Sequence, residues 1–247
     1  MEFEIPASLI NHLRECHSAA ALSGAGTSAE SGIPTFREAQ AGLWARYDPQ
    51  ELATPQAFQQ DPRLVWEWYT WRRDLVRKAA PNQGHHALAQ MAMHIPEFSL
   101  ITQNVDGLHQ QAGSPQVIEL HGNILRTRCA LEGTLIEQWM SAEDIPPRCP
   151  NCGGLLRPDV VWFGESLPVD ALERAYQAAD QCEVFFSIGT STLVEPAASL
   201  PFIALQQGAV VVEINPQSTP LSGSANYVLP GLFSVVLPIL VQAVWGG

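Results

Sequence analysis

The stretch Gly24–Arg37 reads GAGTSAESGIPTFR and is the most informative segment of this chain. It follows a short apolar run of small residues, Ser18–Leu22, after the single residue Ser23. Gly24, Gly26 and Ala29 have the G-x-G-x-x-(G/A) spacing, in which bare backbone approaches a phosphate and a helix N-terminus offers free N–H groups. The glycines alone are equally typical of an ordinary turn. The stretch as a whole predicts a dinucleotide pyrophosphate site between a first strand and a helix.

The region after this stretch argues against a dehydrogenase. A dehydrogenase site needs an acidic residue at the end of a second strand, about 20 residues further on. That region holds Leu43–Pro49, and no strand pattern precedes Asp48. The first β-α-β unit is therefore interrupted, and hydride transfer becomes the less favoured reaction.

Composition narrows the class of protein. The 247 residues, 46% hydrophobic and 15% charged, suit one large globular domain, or a large domain with a small insert. A net charge of −12 argues against sequence-independent binding to nucleic acid, and it suits a basic partner such as a lysine-bearing peptide. The N-terminus lacks signal-peptide features, and the apolar stretch Val235–Val244 is too short to span a bilayer. We therefore expect a cytoplasmic protein without membrane contacts and, without an extended heptad, a monomer.

Apolar strand candidates alternate with helical segments along most of the chain. The strand candidates are Ala19–Ser23, Phe98–Thr102, Val117–Leu120, Val160–Phe163, Val184–Ile188, Val210–Ile214 and Tyr227–Leu229. The helical candidates are Pro62–Ala80, His85–His94, Asp170–Ala179, Pro196–Gln207 and Leu232–Val244. This alternation predicts an α/β fold with a Rossmann-like, doubly wound parallel sheet. Ligands of such sheets bind beyond the carboxyl ends of the strands, where this sequence places polar or glycine residues.

Two insertions break the alternation. One is a helical insertion at about 37–80, and the other is a cysteine-containing module at about 125–158. We predict a single catalytic unit in which these two segments form a small domain. The large, Rossmann-like domain then comprises about 1–36, 81–124 and 159–247.

A series of motifs along the chain resembles the sirtuin family. In order, they are GAGTSAESGIPTFR (24–37), TQNVDGLHQQAG (102–113), ELHGN (119–123), a cysteine pair (149 and 152), VVWFGE (160–165), GTS (189–191) and EIN (213–215). The resemblance extends from about Ala20 to Pro230. It implies an NAD-dependent protein-lysine deacylase, which releases nicotinamide and transfers the acyl group from lysine to the ribose of ADP-ribose.

The same resemblance implies the roles of individual residues. His121 matches the general base that takes a proton from the ribose hydroxyl, and imidazole titrates in the right range; without the motif, a structural histidine would be the better interpretation. Asn104 and Asp106, which we also predict to be catalytic, match the polar residues that hold a water or the ribose hydroxyls and the nicotinamide carboxamide. The residues implied to bind NAD are Gly24, Ala25, Gly26, Thr27, Ser28, Ile33, Phe36, Arg37, Gln103, Asn104, Asp106, Gly189, Thr190, Ser191, Glu213 and Asn215.

The peptide substrate is implied to lie as a strand between Val161–Gly164 and Val194–Pro196, so that main-chain hydrogen bonds provide affinity. The residues implied to contact it are Val161, Trp162, Phe163, Gly164 and Val194.

The acyl group is implied to meet a Tyr-x-x-Arg pair. Tyr69 and Arg72 are three residues apart in a helical segment and share a face. They match the sirtuin subgroup that removes succinyl, malonyl and glutaryl groups, and Ala53 matches the small residue that widens its pocket. A guanidinium pairs with a terminal carboxylate, and a tyrosine hydroxyl adds a hydrogen bond. The alternative is that Tyr69 and Arg72 belong to an aromatic helix packed on the core.

Sirtuins carry two cysteine pairs that bind a structural zinc, and here the first pair is incomplete. Cys149 and Cys152 form the second pair, whereas Cys129 is followed three residues later by Glu132. Because three thiolates and a carboxylate can hold zinc, we predict these four residues as its ligands. The alternative is that the metal has been lost and packing holds the loop.

Other functions remain open alongside the deacylase. An NAD-dependent mono-ADP-ribosyltransferase or an NAD glycohydrolase would use the same pocket and release nicotinamide without an acyl-lysine. A non-catalytic sensor of NAD metabolites would tolerate the loss of His121 or Asn104, and neither residue is lost. The presence of His121, Tyr69 and Arg72 favours a deacylase that prefers acidic acyl groups to acetyl.

Overall fold

The computed structural model describes residues 4–35, 47–138 and 145–246. Two residues predicted to bind NAD, Phe36 and Arg37, lie outside the described residues, as does the first part of the helical insertion.

The described strands form two sheets. In chain order they are β1 (Ser18–Ser23), β2 (Glu97–Thr102), β3 (Val117–Glu119), β4 (Gly122–Cys129), β5 (Leu156–Val160), β6 (Val184–Ile188), β7 (Val210–Asn215) and β8 (Tyr227–Pro230). Within the described ranges, six of them form a parallel sheet in the order β3-β2-β1-β6-β7-β8. This order confirms the predicted doubly wound sheet. Successive strands are added to one side of β1 up to β3 and to its other side from β6 onward, so the strand order reverses between β1 and β6, the position at which ligands bind in such folds.

The described helices mostly connect the strands. They are α1 (Ala7–Glu15), α2 (Ala25–Ala29), α3 (Pro49–Leu52), α4 (Pro55–Gln60), α5 (Pro62–Lys78), α6 (Gln83–His94), α7 (Leu108–Gln111), α8 (Val169–Gln181), α9 (Leu200–Gln206) and α10 (Phe233–Trp245), with a 3-10 turn at Ala197–Ser199. Local sequence defines several of their ends. Asp61 caps α5 through the amide of Leu64, and Pro62 occupies its first turn, where no N–H is needed. Asn82 and His85 form a reciprocal capping box at the start of α6.

Strand β1 explains why the sequence lacks an alternating pattern at this position. Ala19 and Ala21 face one core cluster, formed with α1, α6 and α10, while Ala20 and Leu22 face another, formed with α8 and α9. A strand buried on both faces needs apolar side chains throughout. The small alanines let the helices on both faces approach the centre of the sheet.

The prediction for Val160–Phe163 was wrong. Only Val160 belongs to a strand, at the end of β5, and β5 pairs with β4 in a separate antiparallel sheet. The apolar run packs elsewhere because Val160 and Trp162 join a cluster with helix α5, through residues such as Trp68 and Tyr69. The run therefore extends the second sheet into a loop.

The division into a large and a small domain stays a prediction, although helices α3 to α5 share their core cluster with parts of the second sheet. In the described part of the chain, no helix combines the length and apolar character needed to cross a bilayer.

Candidate active site and metal site

The loops after β1 and β6 touch at the centre of the sheet edge. A Cβ on Gly24 would lie 2.7 Å from the Cβ of Thr190, and one on Gly26 would lie 2.8 Å from the carbonyl oxygen of Gly189. The Gly26 amide donates to that same oxygen at 2.8 Å. Glycine is therefore required at these two positions because the loops pack too closely for a side chain. The sequence did not suggest this reason. The contact of these glycines with a phosphate stays a prediction.

Asn104 and Asp106 are joined to the glycine-rich loop through Ser28. The Asn104 side-chain amide lies 2.8 Å from Ser28 Oγ, 2.9 Å from Thr27 Oγ1 and 3.0 Å from the Gly24 carbonyl oxygen. Ser28 Oγ donates to Asp106 Oδ2 at 2.6 Å. Burial raises the pKa of Asp106, while hydrogen bonds from Ser28 and from a backbone amide act in the opposite direction. The predicted catalytic pair and the predicted NAD loop therefore form one polar cluster.

His121 is hydrogen-bonded to Gln103, the residue before Asn104, and has a defined tautomer. Its Nδ1 lies 2.9 Å from the carbonyl oxygen of Gln103. A carbonyl only accepts, so Nδ1 carries the proton and Nε2 keeps its lone pair. Burial lowers the pKa of His121, although the hydrogen bond to Gln103 opposes this. His121 is therefore a neutral imidazole with an available basic nitrogen.

Gln103 also connects His121 to the loop after β6. The side-chain amide of Gln103 donates to Thr190 Oγ1 at 3.0 Å. Asn215 Nδ2 donates to the main-chain carbonyl oxygen of Thr190 at 2.8 Å. The ends of β2, β6 and β7 are thus linked by hydrogen bonds. Ser191 follows in the same loop and is partly exposed.

Glu213 lies near the end of β7 and has hydrogen-bond partners within the protein. Its carboxylate is fully buried and accepts hydrogen bonds from the hydroxyls of Thr219 and Ser222, in the loop after β7. It therefore holds that loop. A direct contact between Glu213 and a ribose stays a prediction; a carboxylate that accepts two hydrogen bonds keeps lone pairs for a third.

The structure brings together most residues predicted to contact the acyl-lysine. Tyr69 is buried and its hydroxyl oxygen accepts from Trp162 Nε1 at 3.0 Å, while the Ala53 carbonyl accepts from the Phe163 amide at 2.9 Å. The Val161 amide donates to the carbonyl of His121 at 3.0 Å, which links this group to the candidate base.

Arg72 lies beside Tyr69 on helix α5. Its guanidinium carbon is 5.1 Å from the centre of a Trp68 ring, and burial lowers its pKa while Tyr69 acts to raise it. A small pocket next to it is lined by Ile33, Pro34, Trp71, Arg72, Leu75 and Val76. The predicted NAD residue Ile33 and the predicted acyl residue Arg72 therefore border the same cavity.

The two segments predicted to pair with a peptide are both accessible. Phe163 and Val194 are exposed, and Gly164 is open to solvent. Neither segment forms a strand in the structure. A peptide strand between them stays a prediction.

Sequence reasoning missed two charged residues beside this group, Arg157 and Glu165. They form a bidentate ion pair at 2.6 and 2.8 Å. The sequence feature that could have identified them is a pair of opposite charges on either side of the apolar run 160–163.

The predicted metal ligands also come together. The ligand atoms of Cys129, Glu132, Cys149 and Cys152 all lie within 4.8 Å of one another. The Cys129 and Cys152 sulfurs are 3.4 Å apart, and the Glu132 amide donates to the Cys129 sulfur at 3.4 Å. Three thiolates and one carboxylate at this spacing form a donor set that suits a tetrahedral zinc ion.

Comparison with known proteins gives a consistent result. A sequence profile described as the Sir2 family matches residues 24–196. The chain is 58% identical over 206 residues to an NAD-dependent protein deacylase of Aquifex aeolicus, covering 83% of this chain and 86% of that protein. A solved structure of a Sir2 homolog–NAD complex has a TM-score of 0.90 at 48% identity, covering 98% of this chain and 94% of the other. A structure of Sir2 bound to an acetylated peptide has a TM-score of 0.84 at 30% identity, covering 95% and 96%.

Proposed function

Because this chain belongs to the Sir2 family, we propose that it is an NAD-dependent protein-lysine deacylase. In this reaction an acyl-lysine, NAD and water give lysine, nicotinamide and O-acyl-ADP-ribose. The amide bond and the glycosidic bond to nicotinamide break, and an ester bond to ribose forms. The observation that carries the proposal is that His121 and the Asn104–Ser28–Asp106 cluster both lie at the carboxyl edge of the sheet, where His121 binds the Gln103 carbonyl next to Asn104.

The cluster around Ser28 suits the polar part of NAD. Asn104 supplies an amide and Asp106 a carboxylate, and both lie where the strand order reverses. Asp106 is 4% exposed, so a hydrogen bond made to it would be shielded from water. We propose that these two residues hold the nicotinamide amide and the ribose hydroxyls, with Thr190 and Asn215 contacting the rest of the dinucleotide.

His121 is proposed as the general base. Its Nε2 is the nitrogen without a proton, and the carbonyl of Gln103 fixes the ring orientation through Nδ1. Because burial keeps the ring neutral, the base is ready to accept a proton from a ribose hydroxyl at neutral pH. The product of that step is an imidazolium whose Nδ1 proton remains bound to Gln103.

The acyl preference is proposed to be for short acidic groups: succinyl, malonyl and glutaryl. The guanidinium of Arg72 is buried, and its removal from water is the main reason that its pKa is lowered. An acyl carboxylate beside it would offset that loss of hydration and could be bound by two parallel hydrogen bonds. Tyr69 lies one turn earlier on the same helix and would add a third hydrogen bond.

Zinc is proposed as the occupant of the cysteine cluster. Cys129 and Glu132 lie in one turn of the module, and Cys149 and Cys152 lie in the other. A bound ion would cross-link these two turns and stabilise the second sheet.

The proposal is tested with one lysine peptide carrying either an acetyl or a succinyl group, assayed by mass spectrometry with and without NAD. We expect NAD-dependent loss of either acyl group, faster for succinyl, and release of nicotinamide only when an acyl peptide is present. Nicotinamide release that does not need the acyl peptide would instead favour an NAD glycohydrolase.

The acyl preference is tested separately by Arg72→Met. We expect kcat/KM for the succinyl peptide to fall by about 100-fold, since charge-assisted hydrogen bonds contribute roughly 1.5–3 kcal/mol each. The acetyl peptide should lose far less, and Arg72→Lys should restore part of the succinyl activity. Equal losses on the two peptides would contradict the proposed role of Arg72.

A further inference from the structure

An ion pair between Arg157 and Glu165 lies beside the proposed acyl pocket. Arg157 donates from Nη1 to Glu165 Oε1 at 2.6 Å and from Nη2 to Glu165 Oε2 at 2.8 Å. Nη2 also donates to the carbonyl of Val160 at 2.8 Å. The parallel pairing is the arrangement that only arginine can make with a carboxylate, and it fixes the plane of the guanidinium.

This guanidinium lies over the ring of Trp162. Its central carbon is 3.3 Å from the centre of a Trp162 ring, and Glu165 Oε2 accepts from the Trp162 main-chain amide at 2.9 Å. One ion pair therefore holds both the ring and the backbone of the same tryptophan. Burial acts to raise the pKa of Glu165, but the hydrogen bonds from Arg157 and from Trp162 outweigh it, so the pKa is lowered and the carboxylate stays ionised.

Trp162 in turn determines what the Tyr69 hydroxyl can do. An indole N–H is a donor only, so the 3.0 Å contact makes the phenol oxygen of Tyr69 the acceptor. The hydroxyl proton must then be donated to a different group. Burial raises the pKa of Tyr69 to about 12, so the hydroxyl keeps that proton. Both side chains are buried, so bulk water does not compete for the contact.

We propose that Arg157 and Glu165 are positioning residues for acyl selectivity. They hold Trp162 so that its indole N–H binds the oxygen of Tyr69 and leaves the Tyr69 proton for the terminal carboxylate of an acidic acyl group. Trp162 is then a specificity-determining residue that acts through Tyr69. The inference rests on the proposed acidic-acyl preference, and it adds the residues that orient the donor.

The kinetic test uses Trp162→Phe, which keeps an aromatic ring for Arg157 and removes the indole N–H together with part of the ring system. We expect kcat/KM for a succinyl-lysine peptide to fall about tenfold, mainly through KM. The reason is that Tyr69 is no longer held to donate its hydrogen bond to the acyl carboxylate. The fall for the matching acetyl peptide should be less than threefold. In a Tyr69→Phe background, Trp162→Phe should lower succinyl activity by less than a further twofold, because the two changes break the same contact.

Arg157→Met and Arg157→Lys test the ion pair. Methionine should reduce the succinyl-to-acetyl ratio of kcat/KM as much as Trp162→Phe does. Lysine keeps the charge but lacks the planar fork, so it should give an intermediate ratio. Equal losses for the two peptides in Trp162→Phe and Arg157→Met, or additive losses with Tyr69→Phe, would overturn the inference.

A spectroscopic readout separates this inference from the proposed function. The chain has seven tryptophans, and in a ¹H–¹⁵N spectrum Trp162→Phe identifies the Trp162 indole signal by its disappearance. We expect Tyr69→Phe and Arg157→Met each to shift that signal in the protein without NAD or peptide. An unmoved signal would contradict the contact between Trp162 and Tyr69. If the signal moves but wild-type protein shows no preference for succinyl, the proposed acyl preference fails, and the selectivity role fails with it. If the preference is present and depends on Arg72 but not on Trp162 or Arg157, only the inference fails.

Discussion

His121 shows how two local contacts prepare a single residue for proton transfer. A general base at neutral pH must be uncharged and must have a nitrogen that is not already protonated. The carbonyl of Gln103 occupies Nδ1, and burial disfavours the charged ring. The Gln103 side chain is itself held by Thr190, so the base is tied to the neighbouring loop. The orientation and the protonation state of His121 thus have separate structural causes.

This arrangement predicts the pH dependence of the reaction. Because the pKa of His121 is lowered, the neutral base persists at a pH where an ordinary histidine, with a pKa of about 6.5, is half protonated. We expect the acidic limb of kcat/KM, measured with a peptide lacking other titratable groups, to have its midpoint below pH 6.5. A midpoint above that value would mean that another group limits the reaction or that His121 is less desolvated than its surroundings indicate.

At the scale of secondary-structure elements, the sequence predicts those elements whose environment is uniform. Strand β1 is buried on both faces, so its run of small apolar residues is sufficient to identify it. The run Val160–Phe163 looks the same, but it leaves β5 at Val160 and turns so that Trp162 packs on α5. The Arg157–Glu165 pair spans that turn, and it is a contact between side chains eight residues apart that hydrophobic periodicity does not detect.

The candidate site likewise has features that the sequence predicts and features that depend on tertiary contacts. Asn104 and His121 follow predicted strands, and the rule that ligands bind at the carboxyl edge brings them together. The hydrogen bonds that enclose Glu213 come from a loop with no regular pattern, so its burial could not be foreseen. The steric need for Gly24 is likewise a tertiary contact, with the loop after β6.

The cysteine module is the element for which metal removal gives a direct test. We expect protein purified without added zinc to contain about one zinc per chain, and Cys149→Ser to lose it, because a structural site needs all four ligands. Glu132→Gln should weaken zinc binding, measured by competition with a chelator. Glu137→Gln is the matched control, since this glutamate is in the same segment but outside the cluster. A zinc content near zero would remove the metal while leaving the proposed catalytic residues in place.

At the scale of the whole molecule, a pair of buried histidines lies where several elements meet. The rings of His85 on α6 and His109 on α7 are 4.8 Å apart, and His85 also packs on Phe233 at the start of α10. His109 Nε2 lies 2.8 Å from Ser23 Oγ, at the end of β1. Glu30, after α2, accepts hydrogen bonds from two amides at the start of α10. This junction therefore connects the helical layer to the edge of the sheet that carries the site.

The histidine pair predicts how stability depends on pH. Burial, with a smaller contribution from a neighbouring histidine, lowers the pKa of His85 to about 4 and that of His109 to about 3. In the unfolded chain both would titrate near pH 6.5. Between these values the unfolded state binds more protons, so the free energy of unfolding falls as the pH falls. From pH 7 to pH 5 we expect the two groups together to remove of the order of 3 kcal/mol.

Urea unfolding at pH 7, 6 and 5 measures this effect, with His85→Gln/His109→Gln as the test variant and the exposed His86→Gln as its control. The double variant should be less stable at pH 7, because it disturbs a packed junction. Its change in unfolding free energy between pH 7 and pH 5 should nevertheless be less than half that of the wild type, while His86→Gln should follow the wild type. The comparison of slopes separates proton linkage from packing, since a packing defect lowers stability by a similar amount at every pH. If the double variant kept the full wild-type slope, the acid sensitivity would have to come from other groups.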